Sequence, residues 1–254
     1  MMGGFGIFTS LKPAQDNVGA LQKKSLANWD AVFDSEDIIE FKGPLVPFGE
    51  MVTAVERSIE ADVLMYANAD VLFDRVQIAR LRGWLNVGKM AELTRKFLVT
   101  GQRVDILSDG KKRLHRPSGM DYFIFKRGMF RDLPKVFMGR AYCDNALVAY
   151  CLRKGIPVID ASYALRVEHQ FHDYGHIAGG QNAVWLGEEA MSNKRENNLR
   201  DFGPNVLDAT HTLLSDGRIV PNIRKRPRCW WLWNLLTRGG KYWKNPKWDG
   251  VAGI

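Results

Sequence analysis

Asp62-Val63-Leu64-Met65-Tyr66-Ala67 is a near-continuous apolar run of strand length that ends in Asn68-Ala69-Asp70. Such a run predicts a strand buried on both faces, because a half-solvated strand would alternate apolar with polar residues. A strand covered on both sides needs a layer of helices above and below it, which is the arrangement of a mostly parallel α/β sheet. In open sheets of that kind ligands gather beyond the carboxyl ends of the strands, where Asn68 and Asp70 fall.

The flanking segments supply the other layers. Phe5–Thr9 reads as a first buried strand stopped at Lys12-Pro13. Val18–Phe33 has helical spacing, with Ala20, Leu21, Leu26, Trp29 and Val32 available for one face. Asp37–Phe41 reads as a strand, Gly43-Pro44 and Pro47 as a loop, and Met51–Ile59 as a helix. Arg75–Leu93 is predicted helical, Lys96–Thr100 a strand, Val104–Ser108 extended, and Asp109-Gly110 a turn. Asp121–Phe125 reads as an aromatic-rich strand. Cys143–Lys154 reads as a helix capped by Gly155, followed by strands at Ile156–Asp160 and Ala164–His169 and a loop at His172–Gly180. The chain is 254 residues long, which suits one α/β domain, placed at 1–215, followed by an extension at 216–254.

Charge separates those two parts. The net charge is +8, and Ile219–Trp248 holds eight Lys or Arg and no acid, so the body is neutral. The same stretch holds five of the eight tryptophans. Basic and aromatic residues together suit an anionic membrane surface, with Trp at headgroup level. They equally suit DNA, with Lys and Arg on phosphate and Trp stacked on bases. A tail helix packed on the domain, with Trp as core and basic residues at its rim, accounts for the same composition. The three cysteines have no C-x-x-C spacing, so neither a disulfide framework nor a cysteine zinc site is indicated. Met1–Gly6 lacks the charged and apolar regions of a signal peptide, and no apolar stretch is long enough to span a bilayer. The expected location is the cytoplasm, with peripheral membrane contact through residues 219–248 as one option.

Four groups of residues carry candidate chemistry. Asp70, with Asn68, lies where a carboxylate can hold a divalent cation against a diphosphate, although Asn and Asp are also ordinary turn formers. His169, His172 and His176 fall together with Asp173 among them, and they can supply a metal ligand, a phosphate contact or a plain polar loop. Asp144 starts a predicted helix, as an N-cap or as a general base. Lys12, Lys23 and Arg103 lie near predicted strand ends or helix starts, within reach of phosphate.

Read in order, these segments resemble a family of small GT-A glycosyltransferases, similar to glycosyltransferase family 2, over roughly residues 6–180. Phe8-Thr9-Ser10-Leu11-Lys12-Pro13 is similar to the family's opening strand, and Gln22–Trp29 to its first helix, with Lys23 at a position that tends to be Arg. Tyr66-Ala67-Asn68-Ala69-Asp70 looks like its Asp-x-Asp metal motif with Asn first. Gly101–Asp105 and Ser118–Phe125 resemble its donor-site segments. Cys143-Asp144-Asn145 falls where the family has Trp-Asp-Asn, and Gly155-Ile156-Pro157-Val158-Ile159-Asp160-Ala161 followed by His169-Gln170-Phe171-His172-Asp173-Tyr174 is the most specific stretch. The resemblance implies a GT-A (Rossmann-like) fold and transfer of a sugar from a nucleotide-diphosphate sugar with Mn²⁺ or Mg²⁺. Asp70 with His172 or His169 would hold the metal. Thr9, Ser10, Lys12, Lys23, Asn68, Arg103, Gly119 and Asp121 would line the donor site, and Asp144 would be the base of an inverting transfer. The acceptor would be a glycan, a lipid-linked glycan or a modified DNA base. The alternative is a non-catalytic, transferase-like module that binds a nucleotide sugar or nucleic acid, a reading that Asn68 keeps open. A nucleotidyltransferase would need its glycine-rich loop after the first strand, whereas Gly3-Gly4-Phe5-Gly6 precedes it.

Overall fold

A computed structural model describes residues 4–12, 17–33, 38–43, 45–86, 96–172, 179–201 and 203–222. His176, Asp173, the helical expectation over 87–93 and the tail from 223 onward lie outside them. The strands are β1 (Gly4–Ser10), β2 (Ile38–Phe41), β3 (Ala61–Ala67), β4 (Val71–Leu72), β5 (Leu98–Thr100), β6 (Val104–Ile106), β7 (Lys112–Leu114), β8 (Tyr122–Lys126), β9 (Val158–Asp160), β10 (Glu168–His169), β11 (His211–Leu213) and β12 (Ile219–Pro221). The helices are α1 (Val18–Val32), α2 (Phe48–Ser58), α3 (Arg75–Asn86), α4 (Cys143–Arg153), α5 (Gly180–Leu186) and α6 (Glu188–Glu196).

The main sheet runs β12-β11-β9-β5-β8-β3-β1-β2. β3 is buried along its length except at Asp62, as its apolar run requires. Its side chains alternate between two cores. Leu64 and Tyr66 join Phe8 of β1 and Phe123 and Phe125 of β8 on one face, under Phe48, Met51 and Val55 of α2 and Leu147 and Cys151 of α4. Met65 and Ala67 join Ile7 of β1 and Ile124 of β8 on the other face, under Trp29 of α1 and Ile78 and Leu81 of α3. The chain is therefore α/β with helices on both sides of a central sheet.

That sheet is mixed. β1–β2, β1–β3, β5–β9 and β9–β11 pair in parallel, but β8 runs antiparallel between β3 and β5. The reason lies in the connection. After β5 the chain stays at one end of the sheet, building the β6–β7 hairpin over the turn at Asp109-Gly110. It re-enters from that same end with no crossover helix, so the next strand must be antiparallel. The start of β8 thereby lies against the end of β3, with Tyr122 opposite Ala67. β12 pairs antiparallel with β11 at the far edge, so the sheet continues past residue 215 to Pro221.

A second sheet, β4-β10-β6-β7, forms beyond the ends of β3 and β5. Only Glu168–His169 of the expected Ala164–His169 strand pairs, because Ala164 and Leu165 turn back onto the Ala161 carbonyl. α1 buries Val18, Gln22, Ser25 and Trp29; of the expected face, Trp29 is buried and Leu26 and Val32 pack partly buried against its cluster, while Ala20 is exposed. Cys143 and Cys151 are buried free thiols. Among the described residues no helix is long and apolar enough to cross a membrane.

Candidate functional site

Asp70 follows β3 directly and is 3% exposed. The residue after it opens β4, and β10 pairs with β4 so that His169 lies opposite Val71. Gln170 extends the contact by donating its backbone N–H to the Asp70 carbonyl at 3.0 Å. This short antiparallel ladder brings both histidines onto the carboxylate. His169 Nε2 lies 3.6 Å from Oδ1, and His172 Nε2 lies 3.0 Å from Oδ2. The Gln170 side chain donates to the Leu21 carbonyl and to Ser25 Oγ of α1, at 3.0 and 2.9 Å. Ser25 on the buried face of α1 thus braces this loop.

One ligand atom from each of Asp70, His169 and His172 lies within 4.8 Å of the others. Lys12 Nζ donates to Asp70 Oδ2 and lies 3.4 Å from His172 Nε2. Burial opposes ionisation of Asp70, but Lys12 and the two histidines hold its carboxyl well below the usual range. Burial lowers the pKa of His169, which keeps its imidazole neutral near pH 7, the form that ligates metal. Asp70 Oδ1 is buried and makes no hydrogen bond among the described residues. A buried carboxylate oxygen without a donor costs stability unless a cation satisfies it. These residues therefore fit a divalent cation.

A hydrogen-bonded chain adjoins the cluster. Ser10 Oγ lies 3.0 Å from the Tyr66 hydroxyl, which donates to Asn68 Oδ1 at 3.3 Å. Asn68 Nδ2 donates to Asp121 Oδ1 at 2.9 Å, and Arg103 Nη1 donates to both Asp121 oxygens at 3.1 Å. Arg103 Nε donates to Asp105 at 2.9 Å, and His115 Nδ1 lies 2.7 Å from the other Asp105 oxygen. Burial would raise the Asp105 pKa, yet the His115 hydrogen bond and the Arg103 charge hold it down at about 2. The antiparallel β8 makes this chain possible, since Asn68 donates its backbone N–H to the Asp121 carbonyl at 2.9 Å. An Asp at position 68 would face Asp121 as a like charge, whereas Asn68 donates to it.

Asp144 is not the N-cap of α4. Tyr142 holds that position with φ of 68°, and Asp144 falls in the first turn. It keeps partial exposure, but burial first, and then the Asp121 charge, push its carboxyl up to about 7. The Cys143 thiol donates to Asp144 Oδ1 at 3.1 Å and acts in the other direction. A carboxyl poised near neutrality beside an ionised Asp–Arg pair can take a proton from a bound hydroxyl.

The remaining expected residues divide. Thr9 is fully buried in β1, and its Oγ1 has no hydrogen bond among the described residues. A Cβ on Gly119 would come within 2.2 Å of the His115 ring, so Gly119 serves to admit that ring. Lys23 is exposed on α1 and makes no hydrogen bond or ion pair among the described residues. Its neighbour Gln22 is the residue that reaches the site, accepting from the Lys12 N–H at 2.7 Å and donating to the Lys12 carbonyl at 3.0 Å. Tyr66, Gln170 and His115 were not expected to take part. An apolar run hides Tyr66, and only the β6–β7 hairpin brings His115 to Asp105. No protein-family model matches this chain, and a search of curated proteins finds no significant match.

Proposed function

We propose that this protein is a GT-A-type glycosyltransferase that moves a sugar from a nucleotide-diphosphate sugar to an acceptor hydroxyl, assisted by Mn²⁺ or Mg²⁺. The observation that carries the reading is the convergence of Asp70, His169 and His172 at the carboxyl end of β3, with Asp70 Oδ1 buried and lacking a donor. Asp70 and the two histidines would hold the ion. When bound, such an ion offsets charge on the departing diphosphate. Asp121, fixed by Arg103 and Asn68, presents a carboxylate to donor sugar hydroxyls. In an inverting transfer Asp144 takes the acceptor proton. The acceptor oxygen then bonds to the anomeric carbon as the bond from that carbon to the diphosphate oxygen breaks, through an oxocarbenium-like transition state. The acceptor hydroxyl belongs to a glycan, a lipid-linked glycan or a modified DNA base.

The test is thermal denaturation against UDP-, GDP-, CMP-, ADP- and dTDP-sugars, with and without Mn²⁺. A metal-dependent rise of several degrees with one nucleotide class is expected, because a ligand bound only by the folded state raises its melting temperature. No rise with any nucleotide, beside a rise with DNA or anionic lipid, would replace this reading with that of a binding module.

A further inference from the structure

Lys12 touches two of the three residues that would ligate the ion. Its ammonium donates to Asp70 Oδ2 and lies 3.4 Å from His172 Nε2. An ammonium has only donors, so on Asp70 it takes up a carboxylate lone pair that a metal would use, and beside His172 it sets a positive charge against an incoming cation. The placement is built into the fold. Gln22 is 5% exposed and pairs with both the N–H and the carbonyl of Lys12. Gln22 lies on α1, which also carries the Ser25 hydroxyl and Leu21 carbonyl that brace Gln170 between the two histidines. One helix therefore positions both the cation and the ligands it covers. The Lys12 side chain is still 23% exposed, against 4% for Asp70, so it has a way out of the cluster.

We propose that Lys12 is a resident cation that competes with the divalent ion for Asp70 and His172, and that a nucleoside diphosphate relieves the competition by taking the ammonium. The second clause rests on the transferase reading. With the ammonium in place the cluster is already charge-compensated, and a metal must displace it. An anionic diphosphate at the end of β1 gives the displaced ammonium a new partner, so ion and diphosphate bind with positive coupling through Lys12. A site whose competent state is a minor population binds more weakly by that fraction, and removing the lysine removes the penalty.

The experiment is calorimetric titration of Mn²⁺ into wild type, Lys12→Met and Lys12→Gln, each alone and with saturating UDP or GDP. Circular dichroism checks that each variant is folded, and the Gln variant serves if the Met variant is not. The expected result is Mn²⁺ binding about tenfold tighter in the neutral variants without nucleotide. The tightening caused by the diphosphate should be clearly larger in wild type than in either variant, where only the direct attraction between ion and diphosphate remains. Equal or weaker Mn²⁺ binding in the folded variants overturns the competition. A diphosphate effect as large in the variants as in wild type overturns the coupling through Lys12. Asp70→Asn separates the two levels: wild-type Mn²⁺ affinity in that variant would remove the metal reading itself, whatever Lys12 does.

Discussion

At the residue scale, Asp70 and Asp144 are carboxyls that the fold drives apart. Asp70 stays ionised because three cationic or hydrogen-bonding groups face it, while burial and the Asp121 charge keep Asp144 near neutrality. Different environments of this kind assign different roles to chemically identical groups. The stability consequence of Asp144 has a definite sign. An unfolded Asp loses its proton near about 3.9, and the folded one near about 7. Between those values the folded state binds more protons, so Asp144 makes stability fall as pH rises from about 4 to about 7. Asp144→Asn should therefore be more stable than wild type at pH 8, by about 1–2 kcal/mol after discounting for partial exposure, while showing little difference at pH 4. Urea denaturation at the two pH values measures it. In the transferase reading wild-type turnover rises with pH through about 7, and Asp144→Asn loses both the turnover and the rise. If the proposed metal site is right, Asp70→Asn should weaken Mn²⁺ binding by about 100-fold, since it removes the charge that would hold the ion. Titration calorimetry reads that directly.

At the element scale, polar residues facing inward from helices do the positioning. α6 buries Asn193 completely, and its side-chain amide accepts from the Phe137 N–H and donates to the Phe137 and Ala141 carbonyls. Asn197 donates to the Lys135 carbonyl at 3.3 Å. These amides fix the segment that leads through the left-handed Tyr142 into α4, and so they set where Asp144 stands. Asn193→Ala leaves those backbone groups unpaired and should cost about 2–4 kcal/mol, seen as a lower urea midpoint. Gly119→Ala should act on the neighbouring chain of charges. The new methyl meets the His115 ring at 2.2 Å and must push it off Asp105, freeing one side of the Arg103–Asp121 brace. The expected outcome is a loss of about 1–3 kcal/mol and, in the transferase reading, a larger effect on donor KM than on kcat.

At the scale of the whole molecule, the edge of the sheet decides where the folded unit can be cut. β12 covers β11, Thr212 Oγ1 donates to Asn222 at 2.8 Å, and the Asn222 N–H reaches the Thr210 carbonyl at 2.8 Å. A chain ending at residue 215 loses these bonds, whereas one ending at 222 keeps them. At about 1 kcal/mol per lost bond the shorter chain should melt several degrees lower. Differential scanning calorimetry on the two truncations tests it.

The α/β class was legible in the apolar run of β3 and in the spacing of α1, α2 and α4, because burial on two faces leaves its mark on local composition. The placing of Asp70, His169 and His172 was legible as well, as residue types, from the clustered histidines and the carboxylate at a strand end. Other features depended on partners distant in the chain. The reversed direction of β8 follows from a connection that never crosses the sheet, and no residue within β8 encodes it. Gln22, Ser25, Asn193 and Tyr66 look solvated, solvated, solvated and apolar by local pattern, yet Ser25, Asn193 and Tyr66 are each buried against a polar group dozens of residues away or more, Gln170, Phe137 and Ser10 respectively. By itself the sequence determined the layers and the chemical inventory of the site, since both depend on hydrophobic periodicity and residue type. Only the tertiary structure decided which polar groups meet. Hydrogen bonds and ion pairs act over a few ångströms in space, and the register of the β4–β10 ladder and the antiparallel entry of β8 bring those partners together.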